Sequence, residues 1–312
     1  MKSTDNLRFT KLALNSGSAI PALGFGTLIP DPADARNAVA AALEAGFRQL
    51  DCAERYRNET VIGEVLQRMF QEGNVKREEV FVATKLWNTN HRPERVRPAF
   101  EASLGRLQLD YVDLYLVHTP FAFKPGDEQD PRDANGKVLY DEGVTLLDTW
   151  RAMESLMDTG RCRAIGLADL GLEKLREIFE AARIKPSVVQ VESHPYLPER
   201  DLLAYCKEHN IVMQAFAALG HAMEPRLMEN PVITGIAKRV DQTPAQVLLA
   251  WALQRGTALL TTSKNPDRIK ESFEVSTIPE TAIKEINERI VTEYRFNSVV
   301  ATGVPGFIPR QR

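Results

Sequence analysis

Eight short apolar runs punctuate the chain, at Leu23–Thr27, Phe47–Ala53, Val80–Leu86, Val112–His118, Cys162–Ala168, Val188–Ser193, Ile211–Ala217 and Ala258–Ser263. Stretches of helical periodicity follow them, at Ala33–Gly46, Glu59–Gly73, Pro93–Leu107, Leu146–Gly160, Leu172–Ala182, Glu199–Asn210, Pro244–Gly256 and Pro266–Glu274. Thr243 precedes Pro244 as a capping residue before a first-turn proline, and Gly46, Gly73, Gly160 and Gly256 stand where helices stop. Apolar runs without alternation, such as Val112-Asp-Leu-Tyr-Leu-Val117, imply a parallel sheet covered on both faces. Eight strand–helix units predict its closure into an α/β (β/α)8 TIM barrel, with residues 1–312 as one domain.

The alternative is an open doubly wound sheet, for which Gly24-Phe-Gly26 imitates a dinucleotide fingerprint. The third glycine position holds Ile29, and no acidic residue closes the unit. Ahead of the first barrel run, Arg8–Leu14 and Ala19–Leu23 flank the turn-forming Asn15-Ser-Gly-Ser18 and predict a hairpin. Two long insertions, Thr119–Thr145 and Ala218–Asp241, follow the fourth and seventh runs, and the second carries a helical pattern around Val232–Val240. Both fall on the face where barrel enzymes keep their active sites, so both are expected to wall a pocket.

Composition narrows the functions open to such a barrel. With 39 basic and 42 acidic residues the formal net charge is −3, which gives no footprint for nucleic acid or an anionic membrane. No run approaches the roughly 18 apolar residues of a membrane span and the start is polar, so a cytoplasmic protein is expected. Cys52, Cys162 and Cys206 are odd in number and widely spaced, which points to reduced packing thiols. Neither HExxH nor a paired Cys/His motif is present, so no metal is expected.

Four ionisable side chains stand at or just beyond the ends of successive runs: Asp51, Tyr56, Lys85 and His118. A lysine inside a barrel strand needs a partner, and Asp51 on the neighbouring strand is the obvious one. A cation beside Tyr56 lowers the phenol's proton affinity, and His118 can orient a carbonyl oxygen between itself and Tyr56. Such a site polarises a carbonyl and protonates the alkoxide. It has no nucleophile, so the electrons must come from a hydride donor such as a nicotinamide cofactor. The bland alternative is a salt bridge in the barrel interior beside a surface tyrosine and a core histidine.

These residues lie in Leu50-Asp-Cys-Ala-Glu-Arg-Tyr-Arg-Asn-Glu59, Thr84-Lys-Leu-Trp-Asn-Thr89, Leu109-Asp-Tyr-Val-Asp-Leu-Tyr-Leu-Val-His118 and Val189-Gln-Val-Glu-Ser-His-Pro-Tyr-Leu197. Together the segments resemble the aldose-reductase-like branch of the aldo-keto reductases, from roughly residue 8 to 275. The resemblance implies a barrel with a hairpin across its N-terminal end, loops and a C-terminal tail over the other end, and NADPH-dependent reduction of aldehydes or ketones. It makes Tyr56 the general acid, Lys85 its neighbour that lowers the pKa, Asp51 the partner of Lys85 and His118 the substrate-orienting group. For the cofactor it implies Gln190 on the carboxamide and Phe216 on the nicotinamide ring, with Gly26 and Thr27 alongside. His194 belongs to the same signature and reads as structural.

The chain departs from that pattern at several positions. Ala168 and Asp169 replace the usual Ser-Asn at the carboxamide, and an ionised Asp169 cannot donate to its oxygen. Thr262, before Ser263, stands where a lysine grips the adenosine phosphate, which leaves Lys264 and Arg268 as the cations for a 2′-phosphate. NADP(H) is therefore expected, with NAD(H) as a possible second cofactor. Leu28 and Thr119 replace tryptophans of the substrate pocket, where Trp87, Phe121 and Phe123 remain. The expected partner is a small carbonyl or alcohol, and the expected state a monomer or weak dimer. The competing function is a non-catalytic, cofactor-binding regulatory or structural subunit of the same fold. A hydrolase built on Cys52 and His118 is disfavoured because Cys52 should point away from Asp51.

Overall fold

The structure, a computed structural model, describes residues 7–307. A hairpin of β1 (Lys11–Ala13) and β2 (Ala19–Pro21) precedes eight barrel strands: β3 (Leu23–Gly26), β4 (Gln49–Asp51), β5 (Phe81–Leu86), β6 (Leu114–Val117), β7 (Ile165–Ala168), β8 (Val188–Glu192), β9 (Val212–Phe216) and β10 (Ala258–Thr261). These eight run parallel in chain order, and β10 pairs with β3 to close the barrel. Gly24 and Gly26 belong to that seam. A Cβ on Gly24 would lie 2.5 Å from Gln49 Oε1, and one on Gly26 2.5 Å from Thr262 Oγ1, so the glycines serve close packing in a strand rather than a phosphate turn.

The covering helices are α1 (Pro32–Ala45), α2 (Glu59–Gln71), α3 (Pro93–Leu107), α4 (Leu146–Met157), α5 (Leu172–Ala181), α6 (Arg200–Glu208), α7 (Pro231–Val240), α8 (Pro244–Gln254) and α9 (Pro266–Phe273). Thr243 caps α8 by accepting from the Gln246 N–H, and Asn265 caps α9 by accepting from Asp267 and Arg268. Gly46 takes the left-handed conformation after α1 at φ 114°. The other three glycines expected as stops also have positive φ, two or three residues beyond their helices. Two further helices, α10 (Glu280–Arg289) and α11 (Val299–Thr302), were not anticipated from the sequence. None of the described helices is long and apolar enough to cross a membrane.

Strand periodicity divides the barrel into two polarities. Phe81, Ala83, Leu114, Leu116, Ala164, Val188, Val212 and Ala258 form an apolar cluster with Leu14 and Ile20, so the hairpin plugs the N-terminal end. Continuing in steps of two along the same inward face leads to Lys85, His118, Gln190 and Gln214 at the opposite end. The outward face packs against the helices, and Cys52 belongs to that second, larger cluster while its neighbour Asp51 faces the interior network. All three cysteines are free and buried.

Candidate active site

Over the C-terminal ends of the strands lies a cleft of about 360 Å3. Asp51, Tyr56, His118, Asp169, Gln190 and Phe216 line it, with Gly26, Leu28, Thr262 and His221 toward its edges. Tyr56 is carried by a single 3-10 turn, Glu54–Tyr56, between β4 and α2. Asn58 fixes this turn: its buried amide donates to Thr27 O at 2.7 Å and Ile29 O at 3.1 Å. Thr27 in turn donates to Asp51 O, tying the ends of β3 and β4 together.

Lys85 is completely buried, and its ammonium makes three contacts: Asp51 Oδ2 at 2.6 Å, Cys52 O at 3.0 Å and Tyr56 Oη at 3.1 Å. All three protons of the ammonium are thus used. Asp51, with the phenol, holds the lysine charged against a strong opposing effect of burial. The Tyr56 hydroxyl is pushed up to about 12 because burial outweighs the pull of Lys85. Lys85 acts in the expected lowering direction but offsets only part of the desolvation, so the phenol keeps its proton at neutral pH. Since Lys85 donates to the phenol oxygen, the phenol's own hydrogen is left for another acceptor.

His118 is held well below the usual histidine range by burial, with Lys85 and Arg55 adding to it, so the ring is neutral and has one N–H to give. Its ring meets Tyr56 edge-on at 5.7 Å and Trp87 at 5.0 Å. Behind Asp51, Gln190 Nε2 donates to Asp51 Oδ1 and to Gln214 Oε1, each at 2.8 Å. Its carbonyl oxygen makes no hydrogen bond with the described residues.

Asp169 is 7% exposed, sits just past β7 in the left-handed region at φ 53°, and its carboxyl makes no hydrogen bond with the described residues. Burial pushes it up to about 8, opposed by Lys85 and reinforced by Glu192. Burial thus favours the acid form of Asp169 over the ionised one, and the acid form can donate. Ala168, at the end of β7, is buried.

The substrate-pocket expectations divide. Leu28 lies on the cleft wall, 57% exposed. Trp87, Thr119 and Phe123 are buried behind the wall: the Trp87 indole donates to Gln129 O, Thr119 bonds Asn88 Oδ1, and Phe123 packs edge-on against Trp87. Phe121 sits beside Tyr140 and Gly303, away from the lining. Of the two insertions expected to wall the pocket, the second supplies His221, whereas the first supports the wall from behind.

At the far edge Thr262 donates to Gly26 O, Ser263 follows on the turn into α9, Arg268 lies in the first turn of α9, and Lys264 pairs with Asp34 at 2.8 Å. Arg268 is exposed and makes no ion pair with the described residues. The tail does cover the cleft: Asn297, Val299, Pro305 and Phe307 line it, while residues 308–312 lie outside the described residues. Buried Glu192 anchors the tail, accepting from Phe296 N, Asn297 N and Asn297 Nδ2 as well as pairing with His194. Sequence reasoning missed this anchor and the wall residues His221 and Arg55. Glu192 lies 104 residues from Phe296 in the tail, so no local pattern could reveal the anchor.

A profile of the Aldo/keto reductase family matches residues 22–290. The chain belongs to the aldo/keto reductase family. It is 45% identical over 275 residues to "Aldo-keto reductase family 1 member C1" of Macaca fuscata fuscata, covering 84% of this chain and 85% of the relative. It is 43% identical over 278 residues to "Prostaglandin F synthase 1" of Bos taurus, covering 85% and 86%. Among solved structures, the aldose reductase of Schistosoma japonicum superposes with a TM-score of 0.89 at 39% identity, covering 95% of this chain and 97% of that one. As an aldo/keto reductase the chain is an oxidoreductase on a TIM barrel. Among its described residues, no group of three or more His, Cys, Asp or Glu could hold a metal ion.

Proposed function

We propose that this aldo/keto reductase is an NADP(H)-dependent enzyme that interconverts aldehydes or ketones with alcohols, with Tyr56 as the proton donor and acceptor. The observation that carries this reading is the fully buried Lys85 ammonium 3.1 Å from the Tyr56 oxygen, beside a neutral His118 on the same cleft.

The residues present fit a nicotinamide cofactor. Gln190 offers an unengaged carbonyl oxygen to a carboxamide NH2, and Asp169 in its acid form can donate to the carboxamide oxygen. Phe216 presents a half-buried ring as a stacking surface. Ser263 and Arg268, with Lys264 once it leaves Asp34, would hold the adenosine phosphate. Bound there, the reduced cofactor supplies the hydride.

The chain's own groups manage the proton. His118 gives its N–H to the carbonyl oxygen and orients it toward Tyr56. The Tyr56 hydroxyl then protonates the alkoxide, and the resulting phenolate is stabilised by the hydrogen bond from Lys85, whose charge Asp51 holds in place. Oxidation of an alcohol runs through the same groups in reverse. The tail over the cleft limits water access at its mouth.

Following oxidation of NADPH and of NADH with a panel of aldehydes and ketones tests the reading. Turnover is expected with NADPH preferred. Tight NADPH binding without turnover of any carbonyl or alcohol would support the non-catalytic subunit instead.

A further inference from the structure

The cleft carries a cation that the proton chemistry leaves unused. Arg55 directly precedes Tyr56 on the same 3-10 turn and lines the same wall. Its guanidinium is fixed on two sides, by Asp130 Oδ2 at 2.7 Å and by the Trp87 ring, whose centroid is 5.3 Å from Cζ. Nε and Asp130 Oδ1 are both buried and unpartnered, so the pair can close side-on through Nε and Nη2. Nη1 makes no hydrogen bond with the described residues and remains for a ligand. Among the described residues lining the cleft, Arg55 is the only lysine or arginine.

An incoming anion would meet little opposition there. Asp51 is neutralised by Lys85 and Asp130 by Arg55 itself, and burial pushes Asp169 toward its acid form. The rest of the wall near the mouth is apolar, with Leu28, Phe216, Val299 and Phe307. Arg55 and Tyr56 are consecutive residues of one 3-10 turn, and both line the cleft with His118. A carbonyl seated at Tyr56 and His118 can therefore reach Arg55 through one aromatic ring or a short carbon chain.

We infer that Arg55 is a specificity-determining residue that receives a carboxylate on the substrate, so that the preferred carbonyl compounds are aldehyde or keto acids reduced to hydroxy acids. This rests on the carbonyl-reducing reading of the same cleft. The hydride goes to the carbonyl carbon and the Tyr56 proton to its oxygen, while the carboxylate on Arg55 takes no part in the chemistry.

The test compares kcat/KM for 4-carboxybenzaldehyde and its methyl ester, which differ in charge at nearly constant shape, in the original protein and in R55M, R55K and D130N. The original protein should favour the acid. R55M should lower the acid-to-ester ratio about tenfold or more, through KM rather than kcat, as expected for loss of a charge-assisted contact. R55K should recover part of the ratio. D130N, which removes the competing carboxylate, should raise it and keeps the test available if R55M folds poorly. A ratio unmoved in R55M, or moved only through equal losses in kcat for both compounds, overturns the role of Arg55. Turnover of the ester in the original protein separates the two claims: ester reduction with an unmoved ratio defeats Arg55 alone, whereas turnover of neither compound defeats the carbonyl-reducing reading.

Discussion

Lys85 is wholly buried with every ammonium proton engaged, whereas Arg268, on the same C-terminal face, is exposed and unpaired among the described residues. The first belongs to a buried ion pair in which removing Lys85 or Asp51 strands the charge of the other. The second stands in the first turn of α9, beside a loop where neighbours can be exchanged at little cost, as Thr262 and the Lys264–Asp34 pair illustrate. The end proposed to handle the proton is therefore fixed by burial, and the end proposed to hold the cofactor phosphate is held only by what its ligand offers. Substitutions at the two ends should fail in different ways.

The largest effect is expected for Lys85→Met. It removes the donor to Tyr56 and leaves the Asp51 carboxylate buried with only Gln190 as a side-chain partner. Breaking a buried pair in this way costs about 3–5 kcal/mol of stability, and carbonyl turnover should fall by about 100-fold or more. Denaturant melts together with steady-state rates check both. Normal stability with lost activity would mean that the Lys85–Asp51 pair serves the site without supporting the fold.

Arg268→Ala should act only at the other end. The KM for NADPH should rise by about 1.5–3 kcal/mol equivalent, with a much smaller change for NADH and no change in the melting temperature beyond that of an exposed substitution. Equal effects on both cofactors would show that no 2′-phosphate is held at this turn.

The smallest effect belongs to Asp169, which lies on the border between the two ends. Its folded pKa is raised above the unfolded one, so its contribution to stability is present below about pH 4 and is lost as the pH rises through about 8. Asp169→Asn should therefore gain stability at pH 9 relative to the original protein and show little gain at pH 4. An ionised carboxylate also favours the positively charged oxidised cofactor. The ratio of Kd values for NADP+ and NADPH should therefore differ between the two proteins by about fivefold at pH 9 and converge toward pH 6. A difference independent of pH would show that Asp169 does not titrate in this range.

The same contrast explains what the sequence reveals. Barrel strands are legible because buried parallel strands are apolar without interruption, and the steps of two that place Phe81 and Ala83 in the plug also place Lys85 in the site. The ladders are shorter than the apolar runs: Val112 makes only an isolated bridge to Cys162, and regular pairing starts at Leu114. Helix α10 hides because only Ala282 and Ile286 are buried in a highly charged segment. The cleft wall is less legible than the proton network. Trp87 continues the inward period of β5, yet its indole is covered by Arg55 and by the loop at Gln129. The state of Asp169 was hidden for a similar reason, since its pKa is set by how completely neighbouring elements exclude water.

The central claim, that the buried lysine serves one proton on Tyr56, is tested most directly by Tyr56→Phe. Single-turnover oxidation of bound NADPH by an aldehyde, measured beside the Kd for NADPH, separates chemistry from binding. The account predicts a rate lower by about 100-fold or more with the Kd within about twofold of the original, because the ring still packs and only the hydroxyl is lost. A rate near that of the original protein, with the cofactor bound normally, would contradict it.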